Sequence, residues 1–255
     1  MPAARAYKPR HMPHGGPLKR HVKPKGARGA IVLADDHAAV TEARSLFPGT
    51  VVHSSMSPRV LVSGVNSRKI GKAVTKGRWR GMPIFTLTLE ERSHCPRTCG
   101  EWASCYGNHM HYARRHIGDE VLERKLAEEL AALQDSHPAG FVVRLHVLGD
   151  FYSSLYVDFW RGAMDCFPAL RVFGFTAHAM DSEIGAALLD INFHYHDRFR
   201  VRFSGTDEDG RGSLVINTAA DSQHVLCPVQ TDATDCCGTC GLCWTMDRVV
   251  EFVRH

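Results

Sequence analysis

Strand and helix alternate most clearly in FVVRLHVLGDFYSSLYVDFWRGAMDCFPALRVFGFTAH, residues 141–178. Residues 141–150 are an apolar run, which predicts a buried strand. Residues 153–167 begin with a serine N-cap and predict a helix. A second apolar run at 170–178 predicts the next strand. This strand–helix–strand order is the unit of a parallel sheet with right-handed crossovers.

The same alternation continues on both sides of this unit. Further strands are predicted at 82–89, 198–205 and 213–218, and further helices at 111–133 and 181–191. We expect an α/β fold with a parallel sheet, arranged as a partial (β/α) barrel with a cysteine-rich C-terminal segment. Pattern alone does not separate a barrel from an open sheet. In both arrangements, functional side chains gather at the carboxyl ends of the strands.

The chain is predicted to have three regions. Residues 1–30 form a basic disordered tail, residues 31–81 an N-terminal α/β extension with a basic loop, and residues 82–255 the α/β core with two cysteine groups. The tail has few large apolar residues, so burial cannot offset its ordering entropy. Within the extension, the pattern predicts a short strand and a helix at 30–47 and another strand at 59–64.

Positive charge is concentrated at two places. Residues 1–30 hold eight of the 31 lysines and arginines and no acidic residue, and 68–80 is a second basic stretch. Both stretches can contact phosphates, so nucleic acid is the predicted partner, with an ordinary solvated terminus and loop as the alternative. No apolar run is long enough to cross a membrane and no secretory signal is recognisable, so a cytoplasmic location is expected. The oligomeric state is not predicted.

Eight of the nine cysteines fall in two groups. The first, in HCPRTCGEWASCYGN (94–108), has the spacing C-x3-C-x5-C and directly follows the 82–89 strand. The second, in CPVQTDATDCCGTCGLCW (227–244), contains C-x2-C-x2-C and a separate Cys-Pro. The candidate metal ligands are Cys95, Cys99, Cys105, Cys227, Cys236, Cys237, Cys240 and Cys243.

The second group has the ligand spacing of a [4Fe–4S] site. Gly238 and Gly241 let the loop turn tightly, so that three thiolates can reach one cluster while Cys227 supplies the fourth. Four thiolates also suit zinc, which usually takes them from two C-x2-C pairs. An iron–sulfur cluster is the interpretation favoured here, zinc is the alternative, and a site without metal is the third reading.

The number of cysteines allows one or two clusters. Cys166 is expected to be a buried apolar residue of the 153–167 helix. The other eight can form two four-thiolate sites, or one three-thiolate and one four-thiolate site with Cys236 or Cys237 left over. A three-thiolate cluster leaves one iron without a protein ligand, where a small molecule can bind. A single structural metal is the simpler alternative.

Other polar side chains follow the predicted strands at their carboxyl ends. The candidate catalytic residues, with roles in orientation or proton transfer, are Asp150, His146 and His178. The candidate cofactor-binding residues are Gly149, Thr176, Arg202 and Ser204. Ordinary structural roles are the alternative: Asp150 can cap the following helix, and His146 can be a hydrogen-bonded core residue.

Four segments support a resemblance to a family of phage proteins. They are GMPIFTLTLEERSHCPRTCGEWASCYGN (81–108), RLHVLGDFYSSLYVDFW (144–160), VFGFTAH (172–178) and CPVQTDATDCCGTCGLCW (227–244). In these segments the chain resembles the phage gene product 88 family, which has no assigned activity. The resemblance covers most of residues 60–245 and implies a phage or prophage setting.

The chain is also distantly similar to radical S-adenosylmethionine enzymes. In those enzymes the first strand of a partial parallel barrel leads into a C-x3-C-x2-C loop, matched here by the 82–89 strand and Cys95-x3-Cys99. The next spacing departs from theirs, because Cys105 follows after five residues. The second strand ends in Gly149-Asp150 and lacks a Gly-Gly-Glu motif. The resemblance therefore implies a strand-end cluster more than it implies bound S-adenosylmethionine.

These observations predict an iron–sulfur protein with one or two [4Fe–4S] clusters. If the protein is an enzyme, a cluster at the strand ends is expected to act on a nucleotide or nucleic acid. The alternative is a non-enzymatic, zinc-stabilised protein that binds nucleic acid through residues 1–30 and 68–80.

Overall fold

A mainly parallel, eight-stranded sheet forms the centre of the protein, which is described by a computed structural model over residues 30–254. The strands are β1 (Val51–Val52), β2 (Val62–Ser63), β3 (Ile84–Thr86), β4 (Arg115–His116), β5 (Phe141–Leu145), β6 (Leu170–Thr176), β7 (Phe199–Ser204), β8 (Gly212–Ile216), β9 (Val225–Leu226) and β10 (Val250–Val253). The sheet order is β2-β3-β5-β6-β7-β8-β10-β9, with β2 and β3 antiparallel. The pair β1 and β4 forms a separate two-stranded parallel sheet.

Three long helices connect the central strands. The helices are α1 (Ala38–Thr41), α2 (Glu120–Ser136), α3 (Ser154–Cys166), α4 (Glu183–His194), α5 (Cys237–Cys240) and α6 (Leu242–Thr245). The side chains of Asp119, Ser153 and Ser182 cap α2, α3 and α4 by accepting a hydrogen bond from an amide of the first turn. These caps satisfy amides that have no partner within the helix, which explains where each helix begins.

The three long helices pack on one face of the sheet. Their apolar side chains join those of β5, β6 and β7 in one buried cluster. Leu126 of α2, Trp160 of α3 and Ile191 of α4 are fully buried in it. The strands β3, β5, β6 and β7 lie side by side, with the connecting helices on the same face. The predicted α/β fold with a parallel sheet is therefore confirmed. The arrangement of these strands as a partial (β/α) barrel stays a prediction.

The C-terminal cysteine segment lies on the opposite face of the sheet. Trp244 of α6 stacks on Trp79 with ring centroids 5.3 Å apart. Both rings pack against Ile84, Val142 and Phe173, which belong to three neighbouring strands. The cysteine-rich segment is thus part of the core packing.

Three predictions of local structure are wrong. Residues 30–34 do not form a strand, and the helix expected after them is reduced to the single turn α1. The helix expected to start at residue 111 starts at Glu120, because Asp119 caps it and the residues before it form β4. Cys166, expected to be buried, is exposed at the end of α3.

The segment before β3 packs on the core through α2. Glu129 of α2 accepts hydrogen bonds from the amides of Val60 and Leu61 at 2.7 and 2.8 Å. The basic tail predicted at residues 1–30 lies outside the described residues except for its last position. Within residues 30–254, no helix combines the length and apolar character that a membrane crossing requires.

Candidate metal centre

Two buried arginines hold the loop that contains the first cysteine group. Arg115 donates to the carboxylate of Glu91 at 2.5 and 3.2 Å, and both side chains are fully buried. Arg92 donates to Asn108 Oδ1 at 2.7 Å and to the carbonyl of Trp102 at 2.9 Å. These bonds connect the beginning of the loop to its end, so they define its shape independently of any metal.

The thiols of the first cysteine group affect one another's ionisation. Burial raises the pKa of Cys95 well above its ordinary value, and the charges of Asp150, Cys105 and Cys99 raise it further. Burial also raises the pKa of Cys105, to about 11. These two thiols are therefore neutral near pH 7, and a metal must displace their protons in order to bind.

Asp150 joins the carboxyl ends of β5 and β6 beside this group. Its Oδ1 accepts a hydrogen bond from the amide of Phe151 at 2.8 Å, and its Oδ2 accepts one from the amide of Ala177 at 2.7 Å. Burial raises the pKa of the Asp150 carboxyl. The cap of α3 is Ser153, so the alternative role of Asp150 as a helix cap is wrong.

The two histidines predicted at this rim are hydrogen-bonded into the fold. The Nε2 atom of His178 lies 2.7 Å from the carbonyl oxygen of Phe151, which is a second link between the ends of β5 and β6. The Nε2 atom of His146 lies 3.0 Å from the hydroxyl oxygen of Tyr156. Burial lowers the pKa of His146 well below its ordinary value, so this imidazole is neutral near pH 7.

The remaining predicted rim residues divide into buried and exposed positions. Thr176 is buried, and its Oγ1 accepts a hydrogen bond from the amide of His178 at 3.1 Å. Gly149 has a φ of +76°, and a Cβ atom there would lie 2.6 Å from Leu89 Cβ. Only glycine therefore fits where the chain after β5 passes the chain after β3. Ser204 is exposed at the end of β7.

Arg202 of β7 anchors the second cysteine segment. Its buried guanidinium donates to the carbonyls of Cys243 and Arg248, each at 2.9 Å, and to the carbonyl of Met246. The sequence predicted a cofactor contact for this residue. Its hydrogen bonds give it a positioning role beneath the cysteines, and the cofactor contact stays a prediction.

The second cysteine segment turns sharply against the basic loop. The amide of Cys237 donates to the carbonyl of Lys69 at 2.8 Å, and the amide of Gly238 donates to that of Ile70 at 2.9 Å. Gly241 separates α5 from α6 with a φ of +74°, a conformation that favours glycine. The tight turn expected from the glycine spacing is therefore present.

Burial and the charge of Cys227 raise the pKa of three thiols in this segment, Cys237, Cys240 and Cys243. Burial raises the pKa of Cys243 to about 11, and the charges of Cys227 and Cys240 contribute to the rise. Burial, then the charges of Cys243 and Cys227, also raises the pKa of Cys237. Burial raises the pKa of Cys240, and the charges of Cys227 and Cys236 raise it further. Cys227, Cys237, Cys240 and Cys243 therefore lie near one another, with Cys236 beside Cys240.

Cys236 has a different environment from its neighbour Cys237. Its Sγ atom lies 3.4 Å from the hydroxyl oxygen of Thr239. The same sulfur lies beside Gly71, where an added Cβ atom would come within 2.6 Å of it. The charge of Cys236 also raises the pKa of Cys240, so Cys236 lies near the same thiols while its sulfur contacts Thr239.

A second arginine lies beside these thiols on the sheet. The Arg144 guanidinium of β5 lies 5.5 and 4.8 Å from the ring centroids of Phe173 and Phe175. Burial lowers the pKa of Arg144, and the charges of Cys237 and Cys243 oppose this shift. The face that supports the second cysteine group therefore contains a buried positive charge.

The two groups bring thiols together without forming a finished metal site. Within residues 30–254, no three His, Cys, Asp or Glu side chains stand close enough together to hold a metal ion as placed. All nine cysteines are free thiols. Their chemistry suits an iron–sulfur cluster or zinc. Ligation of either requires the sulfurs of a group to move closer together.

The sequence carries only weak signals for the charged residues that support the cysteines. Glu91 and Arg92 directly precede the first group, and their only signal was a pair of opposite charges at the end of an apolar strand. Arg144 is the one charge within the apolar run FVVRLHVL, which is the signal that could have identified it. A charge in a central parallel strand is unusual, because both faces of such strands are covered.

Comparison with known proteins gave no match among family models, curated proteins or solved structures. The resemblances to the phage gene product 88 family and to radical S-adenosylmethionine enzymes therefore remain predictions. The function of this protein must be inferred from its own side chains.

Proposed function

We propose that the protein binds a [4Fe–4S] cluster through Cys227, Cys237, Cys240 and Cys243. The main support is that these four thiols have iron–sulfur spacing and that the charge of Cys227 raises the pKa of Cys237, Cys240 and Cys243. The Cys236 sulfur contacts Thr239, and we propose that Cys236 is the spare cysteine. The αL turn between α5 and α6 places three of the cysteines on adjacent short turns. When bound, the cluster would supply electron transfer or hold the fold together.

Positive charge near the second cysteine group suits an anionic cluster. Four thiolates and the inorganic sulfides outweigh the charge of the irons, so the cluster is negative overall. The charge of Arg144 acts on Cys237 and Cys243, and the charge of Arg202 acts on Cys243. Nearby charges of this kind tune the reduction potential of a cluster. They would also suit a zinc–thiolate site, so the metal has to be identified by measurement.

We also propose that Cys95, Cys99 and Cys105 hold a second cluster at the strand ends. Three thiolates would leave one iron able to bind a small molecule, which makes an enzyme acting on a nucleotide or nucleic acid the extended form of the proposal. The buried carboxyl of Asp150 is the acidic group whose charge acts on Cys95 and Cys99. His146 and His178 would then hold substrate or position Asp150. A reducing cytoplasm would keep these thiols available.

Metal analysis of the protein purified without oxygen tests the first proposal. We expect brown protein with broad visible absorption and with iron and acid-labile sulfide in equal amounts, about four of each per cluster. Colourless protein with stoichiometric zinc would instead indicate the zinc-stabilised alternative. Protein with neither metal would exclude both.

The first cysteine group is tested by comparing two single substitutions. Cys99→Ala should lose the iron of one cluster. Cys166→Ala removes an exposed thiol of α3 and should lose none. Equal iron contents in the two variants would show that Cys99 is not a ligand.

A further inference from the structure

A cleft of about 1010 Å³ opens between the two cysteine segments. Its lining includes Tyr106 and residues 109–114, at and after the end of the first cysteine group, and Val229 and Asp235 of the second segment. Thr88 and Val147, at the carboxyl ends of β3 and β5, also line it. The cleft therefore lies at the edge of the sheet where ligands of parallel α/β folds bind. Its volume is at the upper limit for pockets that hold drug-sized molecules.

The lining of the cleft is positively charged. Arg68, Lys69, Arg114 and Arg254 contribute basic groups, and Asp235 is the acid among the lining residues. Arg254 is neutralised by Glu101 at 2.8 Å, whereas Arg68 and Arg114 have no acidic partner within residues 30–254. The lining therefore carries a net positive charge, which favours an anionic ligand.

Exposed aromatic rings stand among these positive charges. Tyr112 is 98% exposed and Tyr106 is 42% exposed, and both line the cleft. The ring of His111 lies against Tyr112 with centroids 6.4 Å apart, and Lys69 Nζ lies 5.9 Å from the centroid of Tyr106. An almost fully exposed tyrosine leaves apolar area in water, which a stacking ligand would cover.

From this combination we infer that the cleft binds single-stranded nucleic acid, with bases stacked on Tyr112 and Tyr106 and phosphates beside Arg68 and Arg114. A basic groove with aromatic platforms is the arrangement by which proteins hold single strands. Duplex bases are already stacked on one another and offer no free face to a tyrosine. This inference does not depend on which metal, if any, the cysteines bind.

The basic side chains of residues 68–80 lie at two different ends of the sheet. Arg68 and Lys69 line the cleft at the carboxyl ends of the strands. Arg78 donates to the carbonyl of Asp197, just before β7, and so lies towards the amino ends. The stretch is therefore not one continuous surface, and exposed Arg80 provides a control for charge outside the cleft.

Binding of a fluorescent oligothymidine of about 15 nucleotides to the full-length protein tests the inference by anisotropy. Tyr112→Ala should weaken binding about tenfold, while Tyr112→Phe, which keeps the ring, should bind like the wild type. Phe193→Ala removes an equally isolated aromatic ring, 78% exposed on α4, and should have no effect. A hairpin duplex of the same length should bind more weakly and should not respond to Tyr112→Ala.

Salt dependence tests the phosphate contacts. The double variant Arg68→Ala, Arg114→Ala should reduce the slope of log affinity against log salt by about 1.4, since each lost phosphate contact on a single strand accounts for about 0.7. Arg80→Ala should leave the slope unchanged. The basic residues before position 30 are present in every variant, so the differences report on the cleft.

Three results would overturn the inference. The first is that Tyr112→Ala and the double arginine variant both bind the oligothymidine like the wild type. The second is a change of salt slope in Arg80→Ala as large as that in the double variant, and the third is that the duplex binds as tightly as the single strand. Binding of polyglutamate with the same dependence on Tyr112 would assign the cleft to an acidic peptide instead. Photocrosslinking of a bromouracil-containing oligonucleotide should label the peptide that contains Tyr106 and Tyr112, and labelling confined to other peptides would also contradict the inference.

Discussion

Asp150 shows how one side chain can join two strand ends and influence a neighbouring cysteine group. Its two carboxylate oxygens accept hydrogen bonds from the amides of Phe151 and Ala177, and its charge acts on Cys95. A buried amide that loses its acceptor costs about 1–3 kcal/mol. The residue therefore has a structural role, whether or not it also takes part in chemistry.

Removing this carboxylate should destabilise the protein. We expect Asp150→Ala to lower the free energy of unfolding by about 2–4 kcal/mol, because one buried and one partly buried amide lose their partner. Urea denaturation followed by circular dichroism measures the change. Asp158→Ala, at an exposed position of α3, should stay within about 0.5 kcal/mol of the wild type. An Asp150→Ala variant as stable as this control would show that the two hydrogen bonds contribute little.

Substitution of Arg144 tests whether a redox-active cluster lies beside it. Its positive charge lies near Cys237 and Cys243 and should stabilise the more negative, reduced form of a cluster. Arg144→Met should therefore lower the reduction potential of the cluster, as measured by an anaerobic redox titration. Arg171→Met, on β6 and bonded to the carbonyl of Pro168, is the matched control. A potential that shifts equally in both variants would contradict the proposed position of the cluster.

The loop that presents the first cysteine group depends on a buried ion pair. Glu91 and Arg115 are both fully buried, and Arg115 also donates to the carbonyl of Gly107 at 3.1 Å. This pair ties β4 to the start of the loop and to the short helical turn after Cys105. The loop that carries the first cysteine group is thus held by an ion pair and by hydrogen bonds to backbone carbonyls, between residues far apart in sequence.

Breaking this pair should cost more than breaking an exposed one. Glu91→Gln should destabilise the protein by about 3–5 kcal/mol, because the buried guanidinium of Arg115 loses its counter-charge. Glu208→Gln breaks an exposed pair with Arg211 and should change stability by less than about 1 kcal/mol. Thermal denaturation of the two variants compares them. Equal effects would mean that water reaches the Glu91 site.

The elements that were predictable from the sequence are those with local signals. The helix α3 and its Ser153 cap follow from the pattern in residues 141–178, and the parallel order follows from strand–helix alternation. The start of α2 was missed because β4 forms by pairing with β1, more than sixty residues away. No local pattern reports a contact at that separation.

For the candidate metal centre, the sequence predicted the cysteines but not the contacts of the residues that surround them. Cysteine spacing identified the candidate ligands of the second group and left Cys236 or Cys237 as the spare. Only the fold shows that the Cys236 sulfur contacts Thr239. Arg92 and Arg115 resemble exposed charges in the sequence, and their burial depends on partners brought together by the loop.

At the scale of the whole molecule, buried neutral histidines should make the protein sensitive to acid. Burial lowers the pKa of His116 to about 4 and lowers that of His146 well below its ordinary value. Between about pH 6.5 and pH 4, each of these imidazoles takes up a proton in the unfolded state but not in the folded state. Stability should therefore fall as the pH drops through this range, and the contribution is fully present above it.

Comparison of two histidine variants separates the contribution of His116 to acid sensitivity from that of the carboxyl groups. His116→Gln should lose less stability than the wild type between pH 7 and pH 5, as measured by urea denaturation at each pH. His196→Gln, at an exposed position, should lose as much as the wild type. A His116→Gln variant with the pH dependence of the wild type would show that His116 is not kept neutral by burial.

The central claim is that Cys227, Cys237, Cys240 and Cys243 of the C-terminal segment together bind a [4Fe–4S] cluster. Its most direct test is the iron and sulfide content of three proteins reconstituted without oxygen: the wild type, Cys240→Ala and Cys236→Ala. We predict that Cys240→Ala loses about four iron atoms per chain relative to the wild type, whereas Cys236→Ala keeps the full content. Full iron content in Cys240→Ala, or an equal loss in both variants, would contradict the account.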